Sequence, residues 1–439
     1  MTEPAAIDPA DLVRSDEVHR SVYVDQRVFD LEMSRIFEQT WIYCGHESQV
    51  ARTGDYHAVR IGNQELVLVR SSEQDVNVLF NRCPHRGVEL FGSDRGRIGA
   101  KLVCPYHAWS FDLDGRFRAM PEPAGYDGTG LDPRSGSCDI RRAPRVRSYR
   151  GFVFASLAAS GPTLEAFLGD ARIAFDDMCN RAPDGEVEVV DVRHRVVQQS
   201  NWKLFMENQL DAVHASFTHQ SAGRAAVETE RVVAGRTGVT PTRFKPLSSV
   251  MIPMSAWDAF RTRGFPHGHC LLSGYLDLRP DEPEQKTYEK LLKDRLGEVE
   301  AEAVLSRNIH HVLIYPSLSV QPAMQQLRVI RPLSPTTTLS ELWHFRLKGA
   351  PEGIYRRALN YFNVINSPAT LVNADDLENW TRAQRGLSSA GGDWVSFHRD
   401  AGRDEPLADG GFRSTNGLSE GPMRHQFSAW RRYMAGARS

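Results

Sequence analysis

The sequence lacks the features that direct a protein to a membrane or to nucleic acid. None of its apolar runs reaches the roughly eighteen residues that a transmembrane helix needs. The first residues, MTEPAAIDPADLV, contain neither a basic stretch nor an apolar core, so no export signal is expected. The formal net charge is only -2 at pH 7, which predicts no general attraction to nucleic acid or anionic lipid. We therefore expect a cytoplasmic protein.

Cysteine is also scarce, with six residues in a chain of 439. In a cytoplasmic protein of this length a disulfide framework is not expected. Only Cys83 and Cys104 have histidines nearby at the spacing of metal ligands. The other four are predicted to be small buried residues: Cys44, Cys138, Cys179 and Cys270. No internal repeat or low-complexity tract is present.

The hydrophobic pattern divides the chain into three parts. Residues 1–40 are predicted to form a leading segment with short helices that packs on the third part. Residues 41–160 contain short apolar runs separated by turns such as Gly62-Asn63, which is typical of a small all-β module. Residues 161–439 mix strands with longer helices. The strands predicted in the second part are Tyr56–Arg60, Glu65–Arg70, Val76–Phe80, Ala108–Asp112, Arg116–Ala119 and Gly151–Leu157.

The third part is predicted to be a larger α+β domain. Helical spacing of apolar residues appears in Trp202–His214 and in Glu282–Arg307. Residues 386–425 are rich in Gly, Ser and Asp and predict a loop. The remaining predicted elements are the strands Glu186–Gln199, His311–Gln321, Gln326–Pro332 and Thr338–Leu347, and the helices Tyr355–Ile365 and Thr370–Arg385.

The first group of candidate metal ligands lies in the β module. Cys83-Pro84-His85 is followed, after eighteen residues, by Cys104-Pro105-Tyr106-His107. Two thiolates and two imidazoles suit either a structural zinc ion or a Rieske [2Fe–2S] cluster, in which two Cys bind one iron and two His bind the other. Zinc fingers pair Cys with Cys and His with His, whereas each motif here contains one of each. The pattern therefore favours the cluster.

A second group lies in Trp202–His214 and just beyond. Asn208, Asp211 and His214 are spaced by three, so they are predicted to share one face of a helix. His219 follows His214 by five, which predicts that the helix ends or distorts before it. Two histidines and one carboxylate form the facial triad of non-haem Fe(II) oxygenases. Asp211 is the carboxylate nearest in sequence.

Three segments resemble one protein family. CPHRG and CPYHAWSFD are similar to the two cluster-binding loops of Rieske non-haem iron oxygenases, and NWKLFMENQLDAVHASFTH is similar to their catalytic signature. The chain has Ala108 where the family usually has Gly. The resemblance implies a [2Fe–2S] cluster on Cys83, His85, Cys104 and His107, and a mononuclear Fe(II) on His214, His219 and Asp376. Asp376 belongs to the segment Asp375-Asp376-Leu377-Glu378-Asn379, in which Asp375 is the runner-up ligand.

The resemblance also implies an assembly and a reaction. Similar enzymes are trimers, in which Asp211 would bridge His214 to His107 of the partner subunit, and Asn208 would lie near the iron. The implied reaction is O2-dependent hydroxylation of an aromatic substrate, with cis-dihydroxylation as the leading form. The alternative is a Rieske monooxygenase or an O- or N-demethylase acting on a small aromatic compound. The resemblance to benzoate, salicylate and terephthalate enzymes points to an aromatic carboxylate, for which Arg328 is a candidate anchor unless its strand turns it to solvent.

The implied architecture is α+β, with a small all-β Rieske domain and a larger catalytic domain in which an antiparallel sheet packs with helices in a helix-grip arrangement. The layout resembles the large α subunit of ring-hydroxylating dioxygenases, which implies a ferredoxin or flavin reductase as a separate electron donor and leaves open a small β subunit. No reductase motif is evident in the chain. Basic residues near the cluster motifs could receive an acidic donor: Arg82, Arg86, Arg95, Arg97 and Lys101.

Overall fold

The computed structural model describes residues 8–239, 245–248, 253–276 and 279–436. The chain divides into two compact units: the smaller comprises residues 37–164, and the larger combines the residues up to 36 with those from 165 onward. The sequence predicted the corresponding boundaries at 40 and 160. Within the described residues, no helix is both long enough and apolar enough to cross a membrane.

The strands that the structure describes are short in the smaller unit and longer in the larger one. In chain order they are β1 (Glu17–His19), β2 (Ile42–His46), β3 (Asp55–Ile61), β4 (Gln64–Arg70), β5 (Val76–Phe80), β6 (Arg95–Arg97), β7 (Leu102–Val103), β8 (Ser110–Phe111), β9 (Phe117–Ala119), β10 (Arg145–Tyr149), β11 (Phe152–Ser156), β12 (Val187–Gln198), β13 (Arg261–Gly264), β14 (Cys270–Gly274), β15 (Ile309–Ile314), β16 (Leu318–Gln321), β17 (Gln326–Ser334), β18 (Thr337–Leu347), β19 (Trp394–Ser396), β20 (Glu405–Pro406) and β21 (Phe412–Ser414).

The described α-helices all lie in the larger unit, apart from the start of α3 at the boundary. They are α1 (Ser21–Val24), α2 (Gln26–Glu32), α3 (Leu164–Leu168), α4 (Ile173–Asn180), α5 (Trp202–Asn208), α6 (Ala212–Thr218), α7 (Gln220–Thr237), α8 (Lys245–Ser248), α9 (Met254–Trp257), α10 (Pro283–Leu296), α11 (Glu298–Leu305), α12 (Glu352–Ile365), α13 (Leu371–Leu387) and α14 (Gly421–Met434).

The smaller unit is built from three antiparallel sheets, as the frequent turns predicted. Their strand orders are β5-β4-β3-β6, β10-β11-β2 and β7-β8-β9. The hairpin β3–β4 turns at Gly62-Asn63, with Ile61 paired to Gln64. Leu79, Trp109 and Phe111 belong to one buried core that also contains the two cysteines of the metal motifs. The core thus lies directly beneath the cysteine loops.

The larger unit is organised around a nine-stranded antiparallel sheet. Its strand order is β12-β18-β17-β16-β15-β14-β13-β21-β20. Helix α5 packs on β17, α12 on β18 and α13 on β12. The sheet with its helices confirms the predicted α+β class, and α5, α6 and α13 carry the second group of candidate ligands.

Three predicted elements of the larger unit were wrong in extent. The single helix Trp202–His214 is interrupted after Asn208, because Asp211 takes an extended conformation (φ −89°, ψ 101°) and caps α6 by accepting the backbone N–H of Val213. Asn208, Asp211 and His214 therefore do not share one helix face.

The other two corrections have comparable local causes. The helix predicted over Glu282–Arg307 divides at Gly297, whose φ of 82° ends α10. The strand predicted over His311–Gln321 is two antiparallel strands, β15 and β16, joined by a turn at residues 315–317. A fourth prediction, the loop over residues 386–425, was also wrong in part, because this segment contains three short strands and α14 begins at Gly421.

Candidate metal centres

The two cysteine loops of the smaller unit have the same backbone geometry. The N–H of Cys83 donates to the carbonyl of Val88 (2.8 Å), and the N–H of Gly87 donates back to the carbonyl of Cys83 (2.9 Å). Gly87 has a φ of +74°. The loop is thus a closed turn that directs the side chains of its first residues to one side.

The second loop repeats this pattern. Cys104 donates to the carbonyl of Trp109 (2.8 Å), and Ala108 donates to the carbonyl of Cys104 (3.1 Å). Ala108, in the position of the first loop's glycine, has a φ of +53°. A left-handed conformation costs an alanine on the order of 1 kcal/mol, and the turn retains it nonetheless.

The side chains of the two loops form two layers. Cys83 and Cys104 are buried, and their thiols lie close enough to interact; burial, followed by this neighbouring thiol, raises the pKa of Cys83. His85 and His107 are half-buried, with ring centroids 4.8 Å apart, and the His85 ring stacks on Trp109 at 4.7 Å. Two inner sulfurs and two outer imidazoles, each loop supplying one of each, match the donors of a Rieske cluster.

A second cluster of ligand atoms lies in the larger unit. Atoms of His214, His219 and Asp376 all lie within 4.8 Å of one another, and this is the one such group of three or more metal-binding side chains among the described residues. Oδ1 of Asp376 is 3.6 Å from Nε2 of His214 and 3.3 Å from Nε2 of His219. Ligands at about 2.1 Å from a metal and at right angles are about 3 Å apart, so the spacing fits a shared ion.

Local backbone geometry brings the two histidines together. His214 lies within α6, which ends at Thr218, and His219 follows with φ −97° and ψ 13°. The prediction that the helix ends before His219 is thus confirmed. Asp376 comes from α13 and is buried. The helix end turns two rings five residues apart toward one carboxylate.

Asp375 contacts His219 at the ring nitrogen that does not face Asp376. Its Oδ2 lies 3.3 Å from Nδ1 of His219, whereas Asp376 faces Nε2 of the same ring. Burial would lower the pKa of His219, but the two carboxylates outweigh it and raise that pKa above its ordinary value. The structure therefore does not bring Asp375 into the cluster, where the sequence made it the runner-up ligand.

Asn208 is part of a hydrogen-bonded chain that reaches the sheet. Its Nδ2 donates to Oδ1 of Asp376 (3.4 Å), and its Oδ1 accepts from Nε2 of Gln209 (3.3 Å). Ser319 on β16 donates to Oε1 of Gln209 (3.2 Å). Sequence reasoning missed Gln209 and Ser319, although Gln209 stands beside Asn208 in the catalytic signature.

Asp211 lies next to the cluster rather than in it. Its Oδ1 accepts the N–H of Val213 (3.0 Å) and Nη2 of Arg399 (3.3 Å), while its Oδ2 is 3.8 Å from Nδ1 of His214. That Nδ1 is buried and has no hydrogen-bond partner within the described ranges. Arg399 was missed, because nothing in its predicted loop signals a contact with a residue so far away in the chain.

Two family models match the chain. The Rieske [2Fe–2S] domain matches residues 40–149, and the ring hydroxylating alpha subunit catalytic domain matches residues 186–436. The first match contains both cysteine loops, and the second contains the whole cluster of His214, His219 and Asp376.

Similar proteins extend over most of the chain. The 2-halobenzoate 1,2-dioxygenase large subunit of Burkholderia cepacia is 30% identical over 87% of this chain and 79% of its own. The toluate 1,2-dioxygenase subunit alpha of Pseudomonas putida is 31% identical over 89% and 85%, respectively. Naphthalene 1,2-dioxygenase from Rhodococcus sp. bound to indole has a TM-score of 0.78 at 24% identity, covering 96% of this chain and 95% of that one, which shows a common fold.

Proposed function

Because the chain belongs to the ring-hydroxylating alpha subunits that carry a Rieske [2Fe–2S] domain, we propose that it uses O2 to convert an aromatic substrate to a cis-dihydrodiol. The observation that carries this proposal is the convergence of His214, His219 and Asp376. Two imidazoles and one carboxylate leave coordination positions of an iron open, as an O2-dependent reaction requires.

The candidate ligands divide between two groups. Cys83 and Cys104 would hold one iron of the cluster and His85 and His107 the other, while the facial triad would hold Fe(II). When bound, the cluster supplies electrons one at a time and the Fe(II) supplies the site where O2 and substrate meet. The closed cysteine loops and the matched donor set support the first assignment, and the 3.3 Å and 3.6 Å spacings support the second.

Neighbouring side chains orient the ligands of the triad. Asp375 accepts the Nδ1–H of His219 and thereby leaves Nε2 as the metal-binding nitrogen, which is the usual role of a carboxylate behind a ligating histidine. Asn208 donates to Oδ1 of Asp376 and thereby restrains that carboxylate. The ligands are thus held before any metal binds.

Asp211 connects this site to a second subunit in the arrangement that we propose. The protein forms a homotrimer, and Asp211 accepts an N–H from His214 and one from His107 of the partner subunit. Two observations support this role. Oδ1 is occupied by Val213 and Arg399, so Oδ2 is the oxygen that remains for imidazoles, and Nδ1 of His214 lacks another acceptor among the described residues.

An electron-transfer protein is the further partner that this function needs. We propose a ferredoxin or a flavin reductase, which docks beside the cysteine loops; a small β subunit is compatible with the same assembly. The five basic residues near these loops are exposed and suit an acidic partner: Arg82, Arg86, Arg95, Arg97 and Lys101. The names of the two relatives, 2-halobenzoate and toluate dioxygenase, favour a benzoate as the aromatic substrate.

The test is oxygenation of a panel of aromatic compounds by the metal-loaded protein with a reductase and NADH. We expect oxygen uptake that depends on substrate, with both atoms of 18O2 in one cis-diol product. A peroxide assay distinguishes oxygenation of the substrate from uncoupled reduction of O2 to peroxide. A single labelled atom would instead identify a monooxygenase or demethylase, and uptake that ends only in peroxide for every compound would contradict the proposal.

A further inference from the structure

Arg328 is a buried guanidinium with no anionic partner among the described residues. It lies on β17, in the interior of the nine-stranded sheet, and is 7% exposed. Its Nη2 donates to Oδ1 of Asn366 at 2.9 Å. Within the described part of the chain, no carboxylate lies within 4.0 Å of it. A neutral amide is therefore its direct partner where a buried cation ordinarily needs a charge.

A second arginine on the same strand shows the contrast. Arg331 is also buried, at 6% exposed, but it is ion-paired with Glu341 on β18. Burial lowers the pKa of Arg328 to about 10, with a smaller opposing effect from Asp376. The cost of burying Arg328 is thus not offset by the kind of pair that its neighbour makes.

Asp376 does not form an ion pair with Arg328. It affects Arg328 only at a distance, and its Oδ1 is already engaged by Asn208 and faces Nε2 of both His214 and His219. A divalent metal on these ligands adds more positive charge than Asp376 removes. The region around Arg328 would then favour an anion more strongly.

The position of Arg328 suits a ligand of the oxygenation site. Ser319 pairs with Arg328 across β16 and β17, so the two side chains share one face of the sheet. From Ser319 the hydrogen-bonded chain described above leads through Gln209 to Asn208 and Asp376. A narrow cleft beside Arg328 is also lined by Gln209 and Ser319.

The surroundings are aromatic as well as polar. The guanidinium carbon is 5.2 Å from the ring centroid of Phe205, which belongs to α5, the helix that precedes the triad. A ligand that carries an anionic group and a flat ring would match both features. A planar carboxylate also suits the fork of a guanidinium better than a spherical anion does.

We propose that Arg328 binds the carboxylate of an aromatic acid and so determines the substrate class of this enzyme. The inference rests on the proposed function for the position of the ring, which must lie near His214, His219 and Asp376 to react. It assigns the specificity for anions to one residue of the sheet.

The test compares binding of benzoate with binding of benzamide, its neutral analogue of the same shape. For the metal-loaded wild-type protein we expect benzoate to bind more tightly, measured by calorimetry and by the rise in melting temperature that a ligand of the folded state causes. Arg328→Gln should weaken benzoate binding roughly 10- to 100-fold, as expected for a lost charge-assisted hydrogen bond, and leave benzamide binding within about twofold.

Arg331→Gln is the matched control, because it removes a buried arginine from the same strand while Arg195 remains 3.3 Å from Glu341. Its benzoate affinity should equal that of the wild type. Arg328→Lys keeps the charge without the fork and should fall between wild type and Arg328→Gln; it also tests the proposal if the glutamine variant does not fold. Since Arg328 has no ion pair within the part of the chain that the structure describes, we expect Arg328→Gln without ligand to melt no lower than the wild type.

The two proposals can fail separately. Equal loss of benzoate and benzamide binding in Arg328→Gln, or unchanged benzoate binding, would overturn the anchor even if the wild-type protein oxygenates a benzoate. Conversely, benzoate binding that depends on Arg328 in a protein that oxygenates no aromatic compound would support the anchor and contradict the proposed function.

Discussion

The side chains around the candidate iron site have two kinds of position. Some are candidate ligands that face one another, and others contact those ligands from outside. Asp375 and Asp376 are adjacent in α13 but lie on different nitrogens of His219. A helix rotates successive residues by about 100°, so only one of the pair can face the cluster. The other lies beside Nδ1 of the histidine, on the far side of the ring from the cluster.

The role of Asp375 leads to a prediction about iron affinity. Asp375→Asn replaces the carboxylate behind His219 with a neutral amide and should weaken Fe(II) binding roughly 10- to 100-fold, while the cluster keeps its content and its spectrum. The measurement is iron content against free Fe(II), together with the electron-spin resonance signal of the reduced cluster. Glu378→Gln is the control, since Glu378 lies on the same helix and its one ion pair among the described residues is with the exposed Arg382.

Unaltered iron affinity in Asp375→Asn would contradict a positioning role for this residue. The sequence could suggest the residue types of this site but only part of its arrangement. His214 and His219 became candidates through the surrounding segment that resembles a catalytic signature, and Asp376 required a resemblance in a second segment because it comes from a distant helix. Arg399 gave no signal at all, since a contact with Asp211 exists only in the folded chain.

At the level of elements, the site depends on an interruption between two helices. Helix α5 ends at Asn208 and α6 begins at Ala212, so that each carries different residues of the site. The sequence did not reveal the break, because no proline or glycine marks it and the apolar spacing continues through it. What ends the helix is the side chain of Asp211, which competes with the helical backbone for the N–H of Val213.

Asp211 caps α6 and, in the trimer that we propose, also bridges two subunits; a single substitution can separate these two roles. Asp211→Asn keeps a side chain able to cap α6, since asparagine caps helices as well as aspartate does, but removes the charge. We expect the melting temperature and both metals to be retained, and the oxidation of the prereduced cluster by O2 and substrate to slow by at least tenfold. Stopped-flow absorbance of the cluster measures this rate.

Asp211→Ala provides the comparison for the cap. It should slow the same step and also lower stability by about 1 kcal/mol, because the first turn of α6 loses its acceptor. Oxidation of the cluster at the wild-type rate in Asp211→Asn would show that the charge of this residue is not needed between the two sites.

At the scale of the larger unit, distant segments meet in a buried polar network. Glu32 of α2 is fully buried and accepts from Lys203 and from the indole N–H groups of Trp202 (2.9 Å) and Trp430 (2.7 Å). The network joins α2, α5 and α14. Sequence patterns could not predict it, since each residue alone looks like an ordinary member of its helix and only the fold brings the three together.

The same network contains a carboxyl group that should make stability depend on pH. Glu207 is half-buried beside Tyr23, whose hydroxyl donates to it at 2.9 Å. Burial raises the pKa of Glu207 from 4.5 to about 8; Asp211 and Glu420 add to the increase, and Tyr23 and Lys203 oppose it. The folded state therefore holds a proton here that the unfolded chain releases above about pH 4.5.

The sign of the effect follows from this proton. Between about pH 4.5 and pH 8 the folded protein binds more protons than the unfolded chain, so the contribution of Glu207 to stability is complete at the acidic end and is lost as the pH rises. Glu207→Gln has no such proton to lose. The melting temperature of the wild type should therefore fall relative to that of this variant from pH 5 to pH 8. The corresponding loss in the free energy of unfolding is at most about 1.4 kcal/mol per pH unit. A difference that stays constant over this range, or that changes in the opposite direction, would mean that Glu207 is ionised in the folded protein and that Lys203 neutralises it.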